Sequence, residues 1–127
     1  MRAFLLLLFV VTGCGGAFAN GRDAFHNGHY PEAKRSLIAA GAELDRWEPA
    51  RQAEYSLYLG LTHAELGDVT AARPWLERAN QIEQAHPGAL DRDDRARLRL
   101  GLESIAPPAS VDADAPTQKA SAQTETE

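Results

Sequence analysis

The segment GRDAFHNGHYPEAKRSLIAA, Gly21 to Ala40, recurs 39 residues later as GLTHAELGDVTAARPWLERA, Gly60 to Ala79. A third, partial copy begins at LRLGLESI, Leu98 to Ile105, where Leu100 and Gly101 repeat the pair Leu59 and Gly60. Self-similarity at a nearly fixed interval is the sequence signature of a repeat architecture, in which each unit buries its apolar face against a neighbour. The five identical positions are Gly21 and Gly60, Gly28 and Gly67, Ala33 and Ala72, Leu37 and Leu76, and Ala40 and Ala79.

The residue types at these positions suit two helices that pack closely. Gly60 and Ala72 lack bulk, so their helix axes can approach to the close end of the usual separation of about 8–10 Å. Gly67 suits the left-handed conformation that commonly ends a helix. Leu76 then fills the seam between helices, and the first copy repeats the same arrangement 39 residues earlier.

Residues 20–106 predict helices throughout. They show no useful alternation of apolar and polar residues, and β-branched residues are scarce. Pro31 and Pro49 suit a first helical turn, and Asp68 and Asp91 suit the N-cap position. We therefore expect an all-α fold of five helices, over residues 20–27, 31–45, 49–66, 69–85 and 92–104.

The matched positions resemble the tetratricopeptide repeat, which places small residues where the two helices of a unit touch and a glycine in the turn between them. The interval departs from the family, being 39 and then about 41 residues here, against about 34 in the family. The aromatic that the family usually carries on the first helix is His63 in one copy and Ala24 in the other.

That resemblance implies antiparallel helix pairs stacked as a short α-solenoid over residues 20–106. It also implies a concave groove, lined by the first helix of each unit, that holds a protein or peptide. The residues expected to project into this groove are Phe25, His26, Glu54, Leu57, Leu61 and Glu65.

The N-terminus carries the features of an export signal. Nine apolar residues, Ala3 to Val11, follow a single Arg2; a membrane-spanning helix needs about 20, whereas this length suits a signal peptide. VTGC, which ends at Cys14, resembles the lipobox of bacterial lipoproteins. This resemblance implies removal of residues 1–13 and attachment of diacylglycerol to Cys14.

Two other interpretations of the N-terminus remain open. The sequence AFA, Ala17 to Ala19, suits an ordinary small-x-small cleavage site. Cleavage there would leave a soluble periplasmic protein. Cys14 could also be an incidental residue of the signal peptide.

The lipoprotein interpretation also predicts a location. Two or three acyl chains on one cysteine anchor a protein stably, whereas one chain alone binds marginally. Gly15 is not the aspartate that retains many enterobacterial lipoproteins in the inner membrane, so we expect an outer-membrane anchor with the protein facing the periplasm. Residues 14–19 would form a lipid-anchored linker.

The charge of the chain argues against nucleic acid as a partner. The chain has 13 basic and 18 acidic residues and a formal charge of −5, whereas nucleic-acid binding requires a basic surface.

Residues 107–127 contain one branched aliphatic residue and no aromatic. They cannot bury enough apolar surface to offset the ordering entropy, so we expect a disordered acidic tail.

No set of residues predicts catalysis. His26 and His29 are three positions apart, which could serve a metal-dependent enzyme, but a usable site needs three or four ligands. The chain also shows no nucleophile constellation and no glycine-rich phosphate loop. We expect no enzyme, no cofactor, no bound metal and no small-molecule substrate. The expected function is a protein-binding scaffold or assembly subunit in the cell envelope.

Overall fold

The computed structural model describes residues 16–108. Within that range there is no strand, so the expected all-α fold is confirmed. The α-helices pack as antiparallel pairs joined by short turns. The elements in chain order are α1 (Gly16–His26), α2 (Tyr30–Ala40), a 3-10 helix (Gly41–Arg46), α3 (Pro49–Glu65), α4 (Val69–Ala85) and α5 (Arg92–Ile105).

Residues 1–15 and 109–127 lie outside the described part. The expected signal peptide, Cys14 and nearly all of the expected acidic tail fall there. Pro107 and Pro108, the only tail residues described, are exposed.

α1 begins at Gly16, earlier than expected, so the predicted linker over residues 14–19 is helical from residue 16 onwards. Burial of Phe18 explains the difference, because this side chain is only 6% exposed. Its ring centroid lies 5.7 Å from that of Trp47 and 5.9 Å from that of Tyr55. The first turn of α1 is therefore part of the core.

α2 ends at Ala40, whereas the sequence predicted a helix to residue 45. The chain continues as the 3-10 helix and brings Leu44 into the core, where it is 7% exposed. The Tyr55 hydroxyl occupies the position that a Cβ atom at Gly41 would need. It also donates a hydrogen bond of 2.8 Å to the Leu37 carbonyl.

α3 is the central helix and contacts α1, α2, α4 and α5. A helix covered on several sides is expected to be apolar around most of its circumference. Its buried serine and threonine hydroxyls bond within the helix, Ser56 Oγ to the Gln52 carbonyl at 2.7 Å and Thr62 Oγ1 to the Tyr58 carbonyl at 2.6 Å. Two core clusters lie against α3, one with Phe18, Leu37, Ala40, Leu44, Tyr55, Tyr58 and Leu59, the other with Ala53, Leu57, Leu76, Ala79, Leu90, Leu98 and Ile105.

The two full repeats have the same geometry. A Cβ atom placed on Gly21 would lie 2.7 Å from Leu37 Cγ, and one on Gly60 would lie 2.7 Å from Leu76 Cγ. Gly28 and Gly67 both have a positive φ, +74° and +80°, a conformation that an L side chain rarely adopts. The matched residues of the other pairs, Ala33, Ala72, Ala40 and Ala79, are all buried.

The third glycine of the series packs differently. Gly60 faces Leu76, which follows it in the chain. A Cβ atom on Gly101 would instead lie 2.7 Å from Leu61 Cδ2 and 3.4 Å from Leu76 Cδ1, both of which precede it. α5 therefore closes the second unit, and does not open a third unit in the same register.

Candidate functional site

α1 and α5 both contact α3 but do not contact each other, which leaves a groove between them. Two cavities of about 460 Å³ and 330 Å³ lie in this groove. Both volumes fall in the range of ligand-binding clefts, about 300–1,000 Å³. The cavities are continuous because four residues line both: Arg22, Glu54, Asp91 and Asp94.

Tyr58 on α3 forms the floor of the smaller cavity. Its hydroxyl donates to Asp94 Oδ1 at 2.9 Å and lies 3.2 Å from His26 Nε2. A carboxylate can only accept and a phenol has one proton, so Nε2 of His26 must be the donor to the Tyr58 oxygen. Burial, followed by the hydrogen bond to Asp94, raises the pKa of Tyr58. This one hydroxyl thus joins α1 to α5 across α3.

Asp94 is an acidic side chain held inside the fold, with only 5% of its surface exposed. Besides the bond from Tyr58, its Oδ1 accepts a hydrogen bond from Arg97 Nη1 at 2.9 Å. A buried carboxylate is tolerated when it is paired and hydrogen-bonded. Asp91 caps α5 by accepting a 2.8 Å bond from the Asp94 amide, which fixes both carboxylates at one wall of the groove.

The opposite wall is held by a cross-helix ion pair. Arg22 on α1 bonds to Glu54 on α3, and that hydrogen bond raises the pKa of Arg22. The pair is part-buried, so its attraction is less weakened by solvent than that of a fully exposed pair.

The larger cavity has an apolar part. Arg51 stacks over the rings of Trp47 and Phe18, with its guanidinium carbon 4.7 Å and 5.6 Å from the two ring centroids. Stacking of this kind positions the guanidinium without a carboxylate partner. The apolar lining residues of this cavity are Phe18, Ala19, Ala50, Ala89 and Leu90.

Glu83 on α4 holds the connection that carries Leu90 and Asp91 to the groove. Its two carboxylate oxygens accept from the amides of Gly88 at 3.0 Å and Leu90 at 2.8 Å. Desolvation would raise the pKa of Glu83. The two backbone bonds and nearby Arg95 outweigh this effect and lower the pKa.

Only two of the six predicted groove residues, His26 and Glu54, line these cavities. Phe25 packs edge-on against Tyr58, with the ring centroids 5.4 Å apart. Leu57 has no exposed surface, so it offers nothing to a partner. Leu61 is half-buried against Gly101, and Glu65 is exposed at the end of α3 without lining either cavity.

α5 supplies the groove residues that the sequence did not indicate, Asp91, Asp93, Asp94 and Arg97. The sequence predicted that Asp91 caps α5, which its bond to the Asp94 amide confirms. Nothing in the sequence indicated that α5 would lie beside Tyr58. The available signal was the spacing of Asp94, Leu98 and Ile105, which places Asp94 on the same buried face of α5 as the two apolar residues.

The two histidines considered for metal binding have separate partners. His26 Nε2 is engaged with Tyr58, whereas His29 Nδ1 lies 3.9 Å from Glu32 Oε2. Across residues 16–108, no three His, Cys, Asp or Glu side chains are placed to hold a metal ion together. Over the same residues no helix is both long and apolar enough to cross a bilayer.

The chain matches no protein-family model, no curated protein and no solved structure at a significant level. The groove and the N-terminal sequence are therefore the features that bear on function.

Proposed function

We propose that this chain is a lipid-anchored scaffold of the tetratricopeptide type, which binds a protein partner in the bacterial cell envelope. The observation that carries the binding role is the groove between α1 and α5, because two helices that flank α3 without touching leave a cleft open to a partner. In this role the chain binds a partner and catalyses no step. Its anchor lies in the outer membrane, and the protein faces the periplasm.

The buried first turn of α1 supports attachment through Cys14. Cleavage after Ala19 would remove Gly16 to Ala19, and with them Phe18, which is 6% exposed in the core. Loss of a core aromatic side chain typically costs about 3–5 kcal/mol. Removal of residues 1–13 leaves α1 whole, which supports the lipobox interpretation over cleavage after Ala19.

Labelling tests the anchor. In a bacterial host that processes lipoproteins, labelled palmitate should enter the wild-type chain but not Cys14→Ser. The mature wild-type chain should begin at residue 14. A mature chain that begins at Asn20 would replace this proposal with the soluble periplasmic alternative.

Site-specific photo-crosslinking tests the groove. A photoreactive residue at Asp93 or Asp23, both exposed on the groove walls, should give a crosslinked partner in intact envelopes. The matched control positions are Glu77 on α4 and Glu103 on α5, which are exposed but do not line the groove. Crosslinks of equal yield from all four positions would contradict a groove-specific partner.

The competing class, a metal-dependent enzyme that uses His26 and His29, has its own test. We expect Zn²⁺ to leave the melting temperature unchanged, because the two side chains have different partners. A rise in melting temperature that disappears in His26→Ala would favour the metal site instead.

A further inference from the structure

We propose that the groove takes a basic, amphipathic peptide segment of a partner protein. The proposal rests on the binding function given above and names the chemistry of the occupant. It is carried by the charges on the two walls and by the apolar part of the larger cavity.

Carboxylates outnumber guanidinium groups around the groove. Three arginines line the two cavities, and two of them are already paired, Arg22 with Glu54 and Arg97 with Asp94. The six acidic residues that line the cavities are Asp23, Glu48, Glu54, Asp91, Asp93 and Asp94.

Four of these carboxylates have no cationic side chain within 4.0 Å in residues 16–108: Asp23, Glu48, Asp91 and Asp93. They come from both sides of the groove, with Asp23 on α1 and Asp91 and Asp93 at the start of α5. A cation that enters between the helices therefore meets carboxylates from two directions. Complementary charge of this kind favours encounter and selects the sign of the partner.

The apolar lining adds a second requirement for the occupant. Ala50 is exposed in the larger cavity and Ala19 and Ala89 are half-buried there, whereas Phe18 and Leu90 are almost fully buried. A segment that only carried charge would leave these alanine side chains exposed to water. An apolar side chain followed by arginine or lysine satisfies both parts, with the apolar group beside Ala50 and the basic groups near Asp91 and Asp93.

The charge also argues against this chain's own tail as the occupant. Residues 107–127 contain four acidic residues and one lysine. The tail thus has the same sign as the groove, and like charges would oppose its docking.

Matched peptides test the inference on residues 14–127 carrying Cys14→Ser, which includes the whole described fold. Fluorescein-labelled peptides share one apolar pattern and carry arginine, glutamine or glutamate at the polar positions. We expect the arginine peptide to bind most tightly in anisotropy titrations, and added salt to weaken it. Its NMR shift changes should map to α1, α3 and the start of α5.

A double variant and a matched control locate the charge effect. Asp91→Asn with Asp93→Asn should weaken the arginine peptide by roughly three- to tenfold, as expected for two accessible ion pairs. Asparagine still caps α5, so the fold is kept. Glu77→Gln with Glu103→Gln removes the same charge away from the groove and should leave binding unchanged.

Three results would overturn the inference. The first is a glutamine peptide that binds the groove as tightly as the arginine peptide, which would leave the groove function standing without the charge selection. The second is equal weakening by the two double variants, which would show general attraction to an acidic protein. The third is that no peptide changes the NMR shifts of groove residues while photo-crosslinking at Asp93 still captures a partner.

Discussion

The two helix pairs, α1–α2 and α3–α4, have the same seam but different surroundings. In both, a glycine of the first helix lies against a leucine sixteen residues later, and both leucines have no exposed surface. The second pair also lies under α5, since Leu76 faces Gly101 as well as Gly60. The repeated sequence therefore sets the contact inside a unit, and the neighbouring helix decides how much that contact contributes to stability.

The pairs also differ at two positions that are equivalent in sequence. Asp68 caps α4 by accepting a 3.0 Å bond from the Ala71 amide, whereas His29 makes no side-chain cap bond at the start of α2. His63 is buried where the first pair has Ala24. A substitution at either of these positions therefore tests the stability of one helix pair separately from the other.

The largest effect is expected from removal of the seam leucines. Leu76→Ala and Leu37→Ala should each lower the free energy of unfolding by about 2–5 kcal/mol, through lost burial and a residual cavity. The Leu76 variant should lose more because α5 also packs on that side chain. Urea unfolding measures both, with Leu100→Ala, at a site 60% exposed, as the control. Losses no larger than that of Leu100→Ala would contradict the shared seam.

A larger side chain at the seam glycine should lower the free energy of unfolding by less than removal of the seam leucine does. Gly60→Leu forces a side chain against Leu76, and overpacking of this kind costs about 1–3 kcal/mol. Gly21→Leu should act in the same way on Leu37. Thermal melting measures both, with Ala96→Leu on the exposed face of α5 as the control. If Gly60→Leu melts no lower than the wild type, the repeat register is wrong.

Exchange of the N-cap residues should have a still smaller effect on the free energy of unfolding. Asp68→Ala removes a cap bond, for which the typical loss is about 1 kcal/mol. His29→Asp should add a comparable amount, because the backbone at His29 (φ −88°, ψ 63°) nearly matches that at Asp68 (φ −92°, ψ 73°). Chemical denaturation of the two single variants and of the double variant measures the exchange. A His29→Asp protein no more stable than the wild type would show that the two turns are not equivalent.

The smallest expected effect is a pH dependence from the second pair. Burial, followed by the charge of Lys34, lowers the pKa of His63, while Asp68 opposes the shift. At mildly acidic pH the unfolded state then binds more protons than the folded state does. The stability gained by burying neutral His63 is therefore complete above about pH 6.5 and falls as the pH drops towards the folded pKa. His63→Phe should remove that part of the pH profile in denaturation curves, whereas His86→Phe, at an exposed site, should not. An unchanged profile in His63→Phe would mean that His63 does not cause the pH dependence.

The fold was predictable where local sequence and tertiary contacts agree. Gly28 and Gly67 occupy a backbone conformation that favours glycine, and Asp68 and Asp91 cap helices as their types suggest. The first turn of α1 was not predictable, because Gly16 and its neighbours have no helical pattern of their own. Burial of Phe18 against residues of the 3-10 helix end and α3 holds that turn.

The sequence by itself determined that this protein is all-α and built on a repeated helix pair, because small residues and leucine recur at an interval that only close helix packing explains. Only the tertiary structure decided where a groove lies and what lines it. The position of α5 depends on Gly101 packing against Leu61 and Leu76 and on Asp94 reaching Tyr58. Such contacts join residues far apart in the chain, and no local pattern of residues encodes them.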